Sequence, residues 1–256
     1  ARGIPVAAYL ANGNYAGTRW CRDVDLILTD SHATAKMYKE KDGIDVTPIG
    51  PFIDPTYVVA EKRDPKHVLL VNPSLAKGAA IVIRLAMILE EERPDITFEV
   101  VQSRGNWEAL VRQVTKQFGE ERSSLNNVIL TPNTPDMRPI YARAKVLLAL
   151  SLWWESFGRV AFEANMNNIP VIATDHGGLT EAAGQEAVVF KLPKICHTPP
   201  YNRLPTDNQL AQIKQKIIEI HENKITEQKS PKKKYDTSNA NTNRLIAALK
   251  QIKVSR

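Results

Sequence analysis

LLALSLWWESFGRVAFEANMNNIPVIATDHGGLTEAAG, residues 147–184, passes from an apolar run to an amphipathic stretch and back to an apolar run. Val146–Leu150 and Pro170–Thr174 read as strands, and Gly158–Asn167, apolar at three-and-four spacing, as the helix between them. A crossover helix of that kind joins parallel strands. The rhythm continues outward. Further strands are predicted near Val68–Asn72, Thr97–Gln102, Asn127–Thr131 and Ala187–Phe190, with helices at Ala79–Glu92, Asn106–Phe118 and Pro135–Arg143. Six strands so spaced predict an α/β domain, Rossmann-like and doubly wound, with helices on both faces of a parallel sheet.

The first sixty residues repeat this grammar in miniature. IPVAAYL (Ile4–Leu10) and VDLILTD (Val24–Asp30) look like strands, a helix is expected over His32–Lys39, and DVTPIG (Asp45–Gly50) follows as a short strand. That is too little for a complete domain. The expected division is a partial second Rossmann-like segment with its linker at 1–60, the main domain at 61–195, and a helical extension at 196–256. PFIDPTYVVAEKRDPK (Pro51–Lys66) is rich in proline and charge, as linkers are. In the extension, Asp207–Glu222 and Ser238–Ile252 read as helices separated by the polar, basic KITEQKSPKKKYDTS (Lys224–Ser238).

Composition narrows the class. The 256 residues are 43% apolar and 24% charged, with a formal charge of +6, which suits a handler of phosphates or a plain basic surface. No run of eighteen apolar residues occurs, and the chain starts at Ala1 without a charged-then-apolar leader. The expectation is a cytoplasmic chain excised from something longer. Cys21 and Cys196 lack metal-site or redox spacing and read as free thiols. No aspartate pair or histidine cluster has ligand spacing, so the residues give no sign of a metal cofactor.

In open parallel sheets, ligands bind beyond the carboxyl ends of the strands. The loops there are NPSLAKG (Asn72–Gly78), SLWWESFG (Ser151–Gly158) and DHGG (Asp175–Gly178), each with glycine beside charged or hydroxyl side chains. The sharpest signal is ESFGRVAFEA (Glu155–Ala164). With Gly158 opening a helix, the amides of Ser156, Phe157 and Gly158 face an incoming phosphate with the helix dipole behind them. Glu163 falls about five residues into the helix, roughly 7–8 Å along its axis. Two carboxylates beside an anion site make sense if each accepts hydrogen bonds from sugar or ribose hydroxyls.

The run 147–184, together with NNVILTPNTPDMRPIYARAKV (Asn126–Val146) and VNPSLAKG (Val71–Gly78), resembles the signature of the retaining GT-B glycosyltransferases that carry two glutamates separated by seven residues. The resemblance covers about Asp25 to Leu192. It implies a nucleotide-diphosphate-sugar donor, retention of anomeric configuration by front-face attack, and no catalytic metal. By resemblance Glu155 meets the donor sugar, Glu163 the ribose, and Lys77 the diphosphate, with Ser74 and Gly78 in the same loop. Gly177 and Gly178 are either an ordinary turn or sugar contacts. Relatives commonly place an arginine where Asn72 stands, so leaving-group stabilisation is expected from Lys77, the helix-end amides and either Arg159 or Arg104. Such preorganised donors contribute on the order of 3 kcal/mol each.

Plainer readings stand beside these. Lys77 is otherwise a surface lysine, awkward near a helix start. Trp153 and Trp154 either stack on a sugar or pack, His176 is a loop residue, and the loops Ser103–Gly105 and Pro132–Thr134 border the base without naming it. Lys229–Lys234 is a solvated loop or a contact for an anionic membrane surface, whereas no recognisable module supports nucleic-acid binding. Many relatives carry a histidine near AYLANGNY (Ala8–Tyr15), where Asn12 stands. The function expected is sugar transfer to a sugar, lipid-linked or protein acceptor. The alternatives are a non-catalytic nucleotide-sugar-binding module or subunit of a longer or split enzyme, and a nucleotide-sugar epimerase.

Overall fold

A computed structural model describes residues 4–18, 20–103, 105–222 and 237–252. It contains two parallel sheets. The larger is built from β4 (His67–Val71), β5 (Phe98–Val101), β6 (Val128–Thr131), β7 (Ala144–Ala149), β8 (Val171–Thr174) and β9 (Val188–Phe190). Their spatial order is β6-β5-β4-β7-β8-β9, every neighbouring pair parallel. The chain therefore winds outward from β4 in one direction and, after β7, in the other, leaving a crevice where the two directions part.

Alternation along the strands explains the two covering layers. Val68 and Leu70 join one core with Val146 and Leu148, while Leu69 joins the other with Leu147 and Val171. The first core is closed by α2 (Ala79–Glu92), α3 (Trp107–Thr115) and α7 (Asp207–Glu222), the second by α4 (Arg138–Arg143), α5 (Arg159–Met166) and α6 (Leu179–Ala183). Strands covered on both faces have no polar alternation to show, and the sequence has none in β4, β7 or β8. The one exception inside β5 is Glu99, 1% exposed, which Arg143 grips through two nitrogens at 2.5 and 2.7 Å.

The smaller sheet, β1-β2-β3, comprises Ala7–Leu10, Leu26–Thr29 and Thr47–Pro48. On one side α1 (His32–Asp42) contributes Met37 and Tyr38 to a cluster with Leu10 and Ile27. On the other, α8 (Thr237–Leu249) packs Leu245 and Ala248 against Leu28 and Ile49, and Asn241 donates to the Pro51 carbonyl at 2.6 Å. The two helices expected as one terminal extension are thus shared out: α7 closes the large-sheet core and α8 the small one. Ile53 and Val58, in the stretch read as linker, are buried in the second large-sheet core. α6 was not foreseen, since five residues are too few to show a helical period.

Candidate functional site

A cavity of about 400 Å³ opens at the crevice between β4 and β7. Asn72, Lys77, Ser151, Trp153, Glu155 and the stretch Ser156–Arg159 line one side, and Tyr9, Asn12, Asp30 and Phe52 the other. Each side is made of loops that follow strands. Two features bring the loops after β4 and β7 into register. The amides of Leu152 and Trp153 both donate to the Ala76 carbonyl, at 2.8 and 3.3 Å. Gly78, in the left-handed region at φ 79°, lies flush on Leu150, so that a Cβ there would run into the Leu150 carbonyl. No other residue type fits both conditions.

That close approach sets Lys77 opposite Glu155. The ammonium is ion-paired to Glu155 Oε1 and lies 5.2 Å from the centroid of the Trp153 ring. Ser151 Oγ donates to the same carboxylate oxygen at 2.5 Å. Lys77 is 28% exposed and Glu155 12%, so the pair is half sheltered yet reachable from the cavity. Asn72 occupies the end of β4 at φ 60°, a conformation asparagine tolerates better than most residues.

Beyond Glu155 the backbone turns into α5. Among the described residues, the amides of Ser156, Phe157 and Gly158 make no hydrogen bond, while the Ser156 carbonyl accepts from Ser31 Oγ and from Thr34 Oγ1. Ser156 Oγ is buried without a partner. Unpaired buried donors at a helix N-terminus are the arrangement that receives an anion. Phe157 packs in the core against Phe162, ring centroids 5.4 Å apart, and serves as a wedge under the turn.

Glu163 lies one turn further on, 4% exposed, and off the cavity wall. Tyr141 Oη donates to its Oε2 at 2.6 Å and Arg159 Nε to its Oε1 at 2.6 Å. Burial, and then the neighbouring Glu163 charge, push the Tyr141 phenol well above its ordinary pKa, so it stays a donor. Arg159 is paired to Glu163 across one helical turn while remaining 71% exposed. Ser74, Gly78, Gly177 and Gly178 do not line the cavity. A Cβ on Gly177 would meet the Glu155 backbone and one on Gly178 the Ser156 carbonyl, so these glycines let the loop after β8 lie against the Glu155–Ser156 peptide. Arg104 and Lys229–Lys234 lie outside the described residues. None of the described helices is long and apolar enough to cross a membrane.

His176 stacks on His197 at 4.1 Å between centroids and meets the edge of Trp154 at 5.6 Å. Burial, reinforced by His197, lowers its pKa to about 4. Between pH 6.5 and 4 the unfolded chain therefore binds more protons at this site, and stability falls as the pH drops through that window. Asp30 acts in the opposite sense, because burial raises its pKa to about 6 and the folded chain holds the extra proton between pH 6 and 3.8. Replacing His176 by Gln is expected to lift the urea midpoint progressively, relative to the unmodified chain, as the pH falls from 7 to 4.5. Parallel midpoint curves would show that His176 does not titrate as its burial dictates.

Residues that sequence reasoning did not single out complete the site. Ser151 and Tyr141 hold the two glutamates, and Glu181 caps α1 by accepting from the amides of His32 and Ala33 at 3.0 and 2.6 Å. Ser31 joins the same junction, since its Oγ accepts from the Thr34 amide at 3.0 Å and donates to the Ser156 carbonyl. Ser31, as a serine just before a helical run, carries a cap signal in the sequence. The others carry no cap signal: Ser151 sits four residues before Glu155 inside the quoted loop with no spacing rule that marks it as a partner, and Tyr141 and Glu181 pair with residues 22 and about 150 positions away.

The family model described as "Glycosyl transferases group 1" matches residues 59–200. Among curated proteins, a D-inositol 3-phosphate glycosyltransferase of Pseudarthrobacter chlorophenolicus is 31% identical over 111 residues, which are 41% of this chain and 25% of that protein. The corresponding enzyme of Rhodococcus erythropolis is 37% identical over 87 residues, 34% of this chain and 16% of that protein. The alignments thus span a quarter or less of these relatives. Among solved structures, Anabaena HepE in complex with UDP-glucose superposes with a TM-score of 0.61 at 18% identity, covering 98% of this chain and 69% of that one. TarM of S. aureus, in a complex that includes UDP, gives 0.59 at 14% identity over 88% and 44%. At such identities the likeness is one of fold, and the α/β architecture expected from the sequence is the one observed.

Proposed function

The chain belongs to the group 1 glycosyl transferases, and from that membership we propose that it carries the donor-binding half of a retaining, nucleotide-sugar-dependent glycosyltransferase. The observation that carries the reading is the Lys77–Glu155 pair set beside the unpaired amides of Ser156–Gly158 at the mouth of the crevice. Lys77 is parked on Glu155 until a diphosphate arrives and is then drawn to it, since an ammonium on a flexible stem follows charge. The free amides and Ser156 Oγ take the remaining phosphate oxygens. As the anomeric carbon–oxygen bond breaks, negative charge grows on the diphosphate, and these fixed donors stabilise it, each by on the order of 3 kcal/mol.

Glu155, released from Lys77, accepts hydrogen bonds from the donor sugar. Glu163 serves the ribose: Tyr141 holds one of its oxygens, and the exposed Arg159 can swing away from the other. Gly78, Gly177, Gly178 and Ser74 lie off the cavity wall and shape the loops that form it. The nucleotide is UDP, in keeping with the UDP complexes of the structures that share the fold. With this reading goes the proposed division into a donor domain at 61–195 and a partial acceptor segment at 1–60.

Amide hydrogen exchange with and without millimolar UDP tests the placement. Unpaired amides exchange fast, so protection should appear at residues 72–78 and 150–163 and be absent from the edge strands β6 and β9. Protection elsewhere, or none, removes the assignment.

A further inference from the structure

The wall of the cavity facing Lys77 and Glu155 belongs to the small sheet. Tyr9 is in β1, Asn12 follows it, Asp30 follows β2, and Phe52 follows β3. Asp30 is partly buried and has neither a hydrogen bond nor an ion pair among the described residues. Its carboxylate therefore stands on the cavity wall without a partner among the described residues. Asn12 adds an amide that can donate or accept, and Tyr9 and Phe52, 46% and 47% exposed, supply flat apolar surface. Cations are absent from this wall: among the described residues lining the cavity, the positive side chains are Lys77 and Arg159, both on the donor side and both already paired.

A carboxylate in such a place is satisfied by hydroxyl or amine donors and repels anions. The curated relatives are named for an acceptor that bears a phosphate. A phosphate on this wall would meet Asp30 with no positive side chain among the described small-sheet residues that line the cavity to offset it. We infer that Asp30 is a specificity-determining residue that receives an uncharged, hydroxyl-bearing acceptor, a sugar or cyclitol, and discriminates against its phosphorylated counterpart. This rests on the donor site proposed above, because the acceptor hydroxyl must face the sugar held at Glu155.

The test uses the 256-residue chain saturated with UDP, followed by the fluorescence of Trp153 and Trp154. The probes are myo-inositol and methyl α-D-glucoside, each beside its monophosphate. The unmodified chain is expected to bind at least one neutral probe at least tenfold more tightly than the matching phosphate, and Asp30→Asn to reduce that ratio to within about threefold while leaving UDP affinity unchanged. A purely structural role for Asp30 would shift both probes together and leave the ratio intact. The inference is overturned if the unmodified chain binds the phosphates equally well, if it binds neither neutral probe, or if the ratio survives in Asp30→Asn. Failure to bind UDP would instead overturn the donor site, and this inference with it.

Discussion

Gly78→Ala is expected to destabilise the chain by about 2–5 kcal/mol and to weaken UDP binding at least tenfold, whereas Gly119→Ala costs only about 1–2 kcal/mol and leaves binding untouched. The comparison works because the two glycines share a backbone conformation, φ 79° and φ 80°. Left-handed strain is therefore common to both and supplies the smaller figure. What differs is the neighbourhood. A Cβ at Gly119 meets nothing within 4 Å, while one at Gly78 collides with the Leu150 carbonyl and comes within 2.9 Å of Leu150 Cβ. Relief requires the loop after β4 to lift from the loop after β7, which breaks the bonds from Leu152 and Trp153 to Ala76 and carries Lys77 away from Glu155. Urea denaturation and UDP titration of both variants read the two effects separately. Equal losses in the two variants would mean that close approach of the loops contributes nothing beyond strain.

Much of this arrangement was legible because it is local. Strand positions came from apolar runs of four to six residues, and the predicted Ala79–Glu92 and Asp207–Glu222 coincide with α2 and α7. The sequence pointed to the loops beyond the carboxyl ends of the strands, and the strand order then set the switch point between the first and the fourth strand of the large sheet. The motif loops then fell beside that crevice without further information.

What was not legible depends on pairings across long separations. Nothing in the pattern of α8 indicates which sheet it covers, because an amphipathic helix announces a buried face and not a partner. Asp30 reads as an ordinary residue after a strand, and only the fold sets it on the wall of the cavity that Glu155 also lines. Arg159 shows the reverse difficulty. It was expected to help stabilise the leaving group in place of the arginine that relatives carry where Asn72 stands, and the structure adds that its side chain meets Glu163 one turn away at 2.6 Å. The glycines at 177 and 178 read from the sequence as either a turn or sugar contacts, and the structure adds that their lack of Cβ lets the loop after β8 lie on the Glu155–Ser156 peptide.

Lys77→Ala should be the most damaging single change that leaves the fold intact. The side chain is 28% exposed and supports no core contact, so its loss creates no cavity. Its charge, however, sits in the loop after β4 beside the unpaired amides, where the proposal puts the diphosphate. A hydrogen bond to a charged group contributes about 1.5–3 kcal/mol, or roughly 10- to 150-fold in affinity. Glu155 would also be left with Ser151 alone and would repel the incoming phosphates. Lys77→Arg, which keeps the charge but not the compact ammonium, should fall between.

The most direct test is calorimetric titration of UDP into the unmodified chain and into Lys77→Ala. Saturable binding of one UDP that weakens by at least tenfold in the variant is the predicted result. Binding of equal strength in both, or no binding of UDP to the unmodified chain even at millimolar concentration, would contradict the assignment of the crevice between β4 and β7 as the nucleotide-sugar site.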